Sequence, residues 1–117
     1  DVDDYLGTIT LIENLPISTY VGCHWPVKRD EAIAEFCRES RHFVEYADRL
    51  LIELLRTPQS LREICVALGP KLGDWLREAD IELAYALAGH AHRLVERGVV
   101  ESRVRSSGPR ILEYVRR

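Results

Sequence analysis

Val99-Val100-Glu101-Ser102-Arg103-Val104-Arg105, then Ser106-Ser107-Gly108-Pro109, then Arg110-Ile111-Leu112-Glu113-Tyr114-Val115 is the stretch on which the fold turns. Two β-favouring runs flank a joint of serine, glycine and proline, so the stretch reads as a β-hairpin. Directly before it, Ile81, Ala84, Leu87, Ala88, Ala91, Leu94 and Val95 recur at helical spacing. They predict a helix from about Asp74 or Asp80 to Arg97, with Gly98 as its C-cap. Ser60 opens a shorter helix carrying Leu61, Ile64, Cys65 and Leu68, which Gly69-Pro70 is expected to break. Further upstream Asp30-Glu31 begins the strongest pattern in the chain. Ile33, Phe36, Phe43, Val44, Ala47, Leu50, Leu51, Leu54 and Leu55 share one stripe until Thr57-Pro58 stops it. This predicts a helix of about 25 residues, well above the average length.

Three helices followed by a hairpin is the order of a winged helix. The expected fold class is therefore mainly α with a small β-hairpin, in which residues 27–117 make a long linking helix plus a winged-helix-like domain. Residues 1–26 stand apart. Val2, Tyr5, Leu6, Ile9, Ile12 and Leu15 predict an amphipathic helix over 2–14, ended by Pro16. Ser18-Thr19-Tyr20-Val21-Gly22 then reads as a single buried strand, and Pro26 closes the loop after it. One helix and one strand cannot make a sheet, so this front segment is expected to be a remnant of a larger fold.

The 117 residues are 46% apolar and 30% charged, enough for a soluble domain with a core and not the make-up of a disordered or fibrous chain. No apolar run is long enough for a membrane span, and the first 20 residues lack the pattern of a signal peptide. No membrane partner is expected. Cys23, Cys37 and Cys65 are odd in number and have no paired spacing, which suits reduced thiols in a cytoplasmic protein. The sequence contains no methionine, from which we expect a piece of a longer gene product. The net charge of −3 is unevenly spread. Lys plus Arg against Asp plus Glu is 6 against 11 over residues 1–57, 5 against 6 over 58–98, and 5 against 2 over 99–117. Only the last stretch is basic, which speaks against a phosphate-neutralising face elsewhere.

The run Tyr20-Val21-Gly22-Cys23-His24-Trp25-Pro26-Val27, followed by the long charged helix, resembles the last strand and following loop of metallo-β-lactamase superfamily hydrolases. There a strand ends in a Gly-His-Gly-Pro-like turn. This chain departs from that pattern by placing Cys23 and Trp25 where glycines are usual. The preceding helix through Leu15-Pro16 looks like the helix before that strand. The later part is similar to the tail of a glyoxalase II-like subset, in which an Ala-rich helix ends in Leu-x-x-Gly-x-Val, here Leu94-Val95-Glu96-Arg97-Gly98-Val99. The resemblance implies that residues 1–26 are the last helix and strand of an αββα catalytic fold. It also implies that His24 is one metal ligand of the parent enzyme, a zinc-dependent hydrolase of esters, thioesters or phosphodiesters.

The rest of that metal site is missing from the sequence. The family's His-x-His-x-Asp-His motif is absent, and one histidine cannot hold the metals that lower the pKa of bound water to roughly 7. The piece alone is therefore expected to be inactive and to bind no zinc. Its expected partner is the catalytic domain of the same polypeptide, and a homodimer through residues 1–26 is the alternative cover for their apolar face.

Other constellations read more plainly. Cys23 and His24 are adjacent in an extended run and point to opposite faces, so they do not share an ion. His42 and Glu45 neighbour each other on a helix but lack a third ligand. His90 and His92 are two apart on a helix and do not converge, while Cys37 and Cys65 fall on or beside apolar stripes as small hydrophobes. For DNA, the outward face of the third helix is expected to show Glu78, Asp80, Glu82, Tyr85, His90 and Arg93, acidic where a recognition helix enters the groove. Arg103, Arg105 and Arg110 on the hairpin are the candidate phosphate contacts. A winged-helix DNA-binding or protein-interaction module is thus the rival reading, and nucleic acid is not the expected partner.

Overall fold

A computed structural model of the chain describes residues 1–23, 26–75 and 80–117. The described residues form four helices and two small antiparallel sheets, so the chain is mainly α with a little β. They fall into two compact units, Asp3–Glu45 together with Asp1, and Tyr46–Arg117 together with Val2. The division lies within the long helix.

In the first unit, α1 spans Val2–Asn14, as the apolar spacing predicts, and Asp1 caps it by accepting from the Asp3 N–H at 2.7 Å. Residues 18–22 do not form a single buried strand. Thr19–Tyr20 (β1) pairs antiparallel with Lys28–Arg29 (β2), with Thr19 opposite Arg29 and Tyr20 opposite Lys28. The chain doubles back within a few residues, so the strand finds its partner locally. Thr19 is exposed, Val21 is 72% exposed, and the Tyr20 ring stacks on Phe36 with centroids 5.4 Å apart. Phe36 lies on α2 (Glu31–Leu54), whose length matches the expectation. Arg41 of α2 grips Glu13 of α1 through two hydrogen bonds of 2.7 and 3.1 Å and also donates to the Thr10 hydroxyl at 2.7 Å.

The second unit begins with the end of α2. Gln59–Ser60 follows as a two-residue strand (β3), then α3 (Leu61–Leu72) and α4 (Ile81–Glu96). β4 (Val100–Val104) and β5 (Leu112–Arg116) complete the sheet. The hairpin is present where the sequence places it, paired from Val100 opposite Arg116 to Val104 opposite Leu112. β3 adds to its far side, giving the order β3-β5-β4. The core joins Leu51 and Leu55 of this unit to Ile64, Cys65, Leu68, Leu83, Leu87, Ala91, Leu94 and Val100.

Pro70 does not break α3. It has no N–H to offer the Val66 carbonyl, yet the helix runs on for two more residues to Leu72, and the Gly73 N–H still reaches the Gly69 carbonyl at 3.2 Å. Gly69 itself is held by packing. A Cβ there would lie 3.0 Å from Leu83 Cδ2, so α3 and α4 meet on a bare backbone. Asp80 caps α4, and Gly98 ends it at φ +70°. The Gly98 N–H bonds the Val95 carbonyl and the Val99 N–H bonds the Leu94 carbonyl, a Schellman closure that turns the chain directly into β4.

Candidate functional site

Ser60 and Glu63 close a capping box at the start of α3. The Ser60 N–H and hydroxyl donate to Glu63 Oε2 at 2.6 and 2.7 Å, and the Glu63 N–H donates to Ser60 Oγ at 3.3 Å. Arg105, just past β4, adds to this. Its Nη2 contacts both Glu63 oxygens at 3.1 Å, and its Nε donates to Glu113 Oε1 at 2.6 Å. Glu113 is buried on β5. Hydrogen bonds from Ser60, reinforced by Arg105, hold the Glu63 carboxyl at a pKa of about 2. The two carboxylates in turn raise the pKa of Arg105. Beside this network a groove of about 410 Å³ runs between α3 and the hairpin loop, with Val66, Ala67 and Ile111 as its apolar wall.

The three hairpin arginines therefore have different surroundings. Arg105 is neutralised by two carboxylates, Arg103 is exposed with its Nε 3.9 Å from Glu113, and Arg110 is exposed in the loop. They do not converge into one bare cationic patch.

On α4 the structure corrects the expected outward face. His90 and Arg93 are buried, at 6% and 8% exposure. Asp48 of α2 receives both of them, with His90 Nδ1 2.6 Å from Oδ1 and Arg93 donating to Oδ2 at 2.5 Å. Sequence reasoning missed this cluster, because Asp48 lies far from both in the chain. One signal was available: His90 falls in the row Leu83, Leu87, Ala91, Leu94, the buried stripe of the same helix. Glu78, also placed on that outward face, lies outside the described residues.

His24 lies outside the described residues as well. Among the described residues no three of His, Cys, Asp or Glu come together as a group that could hold a metal ion, so the donors in view do not fit a zinc centre. Cys37 and Cys65 are buried, and burial pushes both thiols above their ordinary pKa, which keeps them protonated and inert. Cys23 is exposed. Among the described residues no helix is long and apolar enough to cross a membrane.

Comparison with family models, with curated proteins and with solved structures gives no match for this chain.

Proposed function

We propose that this chain is the non-catalytic C-terminal part of a metallo-β-lactamase-like hydrolase. In this reading Tyr46–Arg117 is a winged-helix-like accessory module that packs on the hydrolase core and borders its substrate entrance. The observation that carries it is the element order of the second unit. Helix, short strand, two helices and a hairpin, with the sheet ordered β3-β5-β4, supports the winged-helix reading. The link to a hydrolase rests on the likeness of Tyr20–Val27, in which His24 supplies one zinc ligand of the parent. The exposed Leu11, Leu15 and Ile17 of the first unit suit a surface made to meet the rest of a catalytic layer.

Surface chemistry favours the accessory role over DNA recognition. The exposed residues of α4 include Glu82, Tyr85, His92 and Glu96, while its sole arginine is bound to Asp48. A reading helix needs donors such as Arg, Lys, Asn or Gln facing outward at its N-terminal end. The exposed Arg103 and Arg110 are the features that favour the DNA-binding alternative.

Reading the coding sequence immediately upstream of Asp1 tests the proposal. A His-x-His-x-Asp-His motif in frame is the expected result, and a start codon at that point would overturn it.

A further inference from the structure

The polar side chains lining the groove beside the capping box are Ser60, Arg62, Glu63 and Arg105. Three of them satisfy one another. The Ser60 N–H and hydroxyl and the Arg105 guanidinium all bond the Glu63 carboxylate, and Arg105 also donates to Glu113. The charge of Glu63 is thereby neutralised inside the network. Arg62 is left over. It is exposed, and among the described residues it has no hydrogen bond, ion pair or ring contact. The first turn of α3 is an unfavourable place for it, because a cation there meets the positive end of the helix dipole.

The apolar wall continues from this arginine. Val66 lies four residues on from Arg62 and so shares its face of α3, and Ala67 stands in the same relation to Glu63. Both are exposed, Val66 at 41%. On the hairpin side is Ile111, whose carbonyl accepts from the Arg105 N–H at 2.8 Å. The result is an apolar trough with one uncommitted guanidinium a helical turn before Val66.

A ligand that complements this layout has an apolar body ending in a single negative charge. A carboxylate suits a lone guanidinium, because its two oxygens match two of the N–H groups of the fork. A doubly charged phosphate ester would be left half matched, since the groove's other guanidinium is already held by two carboxylates. The groove's volume of about 410 Å³ falls among those of small-molecule sites, about 300–1,000 Å³.

We propose that this groove binds an aliphatic monocarboxylate, with the carboxylate on Arg62 and the alkyl chain along Val66, Ala67 and Ile111. All of these residues belong to the second unit, so the site stands or falls independently of the hydrolase reading.

Titration of the isotope-labelled full chain with octanoate, followed by its amide chemical shifts, tests this. Saturable shifts centred on Arg62, Val66, Ala67 and Ile111 are expected, with a Kd below about 1 mM. Arg62→Glu should weaken octanoate at least about tenfold, as loss of a charge-assisted hydrogen bond would. Ala67→Phe, which fills the trough, should weaken it by a similar factor while the remaining amide shifts stay those of the folded chain. If that variant fails to fold, 1-octanol decides: it keeps the alkyl chain, lacks the anion, and should bind the unaltered chain at least about tenfold more weakly than octanoate. Shifts that do not saturate, or that centre on other residues, overturn the proposal. So does equal binding of octanoate and 1-octanol, or octanoate binding that Arg62→Glu leaves intact. A peptide ending in a free leucine carboxylate that binds more tightly than octanoate would assign the groove to a chain terminus and overturn it as well.

Discussion

Asp48 on α2 stands 2.6 Å from the ring Nδ1 of His90 on α4, and the same carboxylate takes a hydrogen bond from Arg93 one helical turn further on. With side chains 8% and 9% exposed, His90 and Arg93 both direct polar atoms at that carboxylate. Asp48→Ala is expected to cost about 2–3 kcal/mol, because removing one partner of a buried pair strands the other. Asp48→Asn, which keeps an acceptor, should lose less. Urea denaturation of both variants checks the order.

Glu63 gives the second unit an acid-sensitive joint. Its carboxyl titrates at about 2 in the fold, against an ordinary value of 4.5. The folded state therefore favours the ionised form. The resulting stability is fully present above pH 4.5 and drains away as pH falls toward 2. The thermal midpoint of the unaltered chain should drop more steeply across that window than that of Glu63→Gln. Parallel slopes would mean that the Ser60 and Arg105 bonds do not govern this carboxyl.

Zinc should not bind this chain tightly. His24 is the sole position that the hydrolase likeness offers as a ligand, and structural zinc sites close with four. Titration calorimetry is expected to show no saturable one-to-one event. Submicromolar binding abolished by His24→Ala would mean that this chain carries a complete site.

Duplex DNA should bind weakly and without sequence preference at about 150 mM salt, since the contacts left to it are phosphate contacts from Arg103 and Arg110. Fluorescence anisotropy decides this. A nanomolar complex sensitive to Arg103→Ala would shift the reading toward a DNA-binding module.

What was legible in the sequence is what local spacing controls. The stripe from Ile33 to Leu55 marks α2, and the valine-rich runs around Ser106–Pro109 mark the hairpin. Gly98 as a helix stop follows from the left-handed backbone that glycine alone adopts freely. Features that apolar spacing does not mark were not legible. Gln59–Ser60 is too short to show alternation and is a strand only because β5 lies beside it. Lys28–Arg29 pairs with Thr19–Tyr20 for a similar reason, with no apolar pattern to announce it. Arg93 looks like a surface residue until Asp48 is known to face it, whereas His90 already falls in the apolar row of its helix. Pro70 misleads because a helix can run a turn past a proline at the loss of one ladder bond, and α3 stops only at Gly73.

The order of strands in the second sheet also bears on how the unit is made. β5 is the last strand in the chain, yet it is the middle one in space. A ribosome delivers α2, β3, α3, α4 and β4 before the strand that joins β3 to β4 has emerged. Until then both flanking strands lack their partner, and Glu113 cannot yet meet Arg105. The pairing of β3 into this sheet thus waits on a strand made about fifty residues later in the chain. An early stop or a proteolytic clip ahead of Leu112 would therefore remove the strand that holds the other two together.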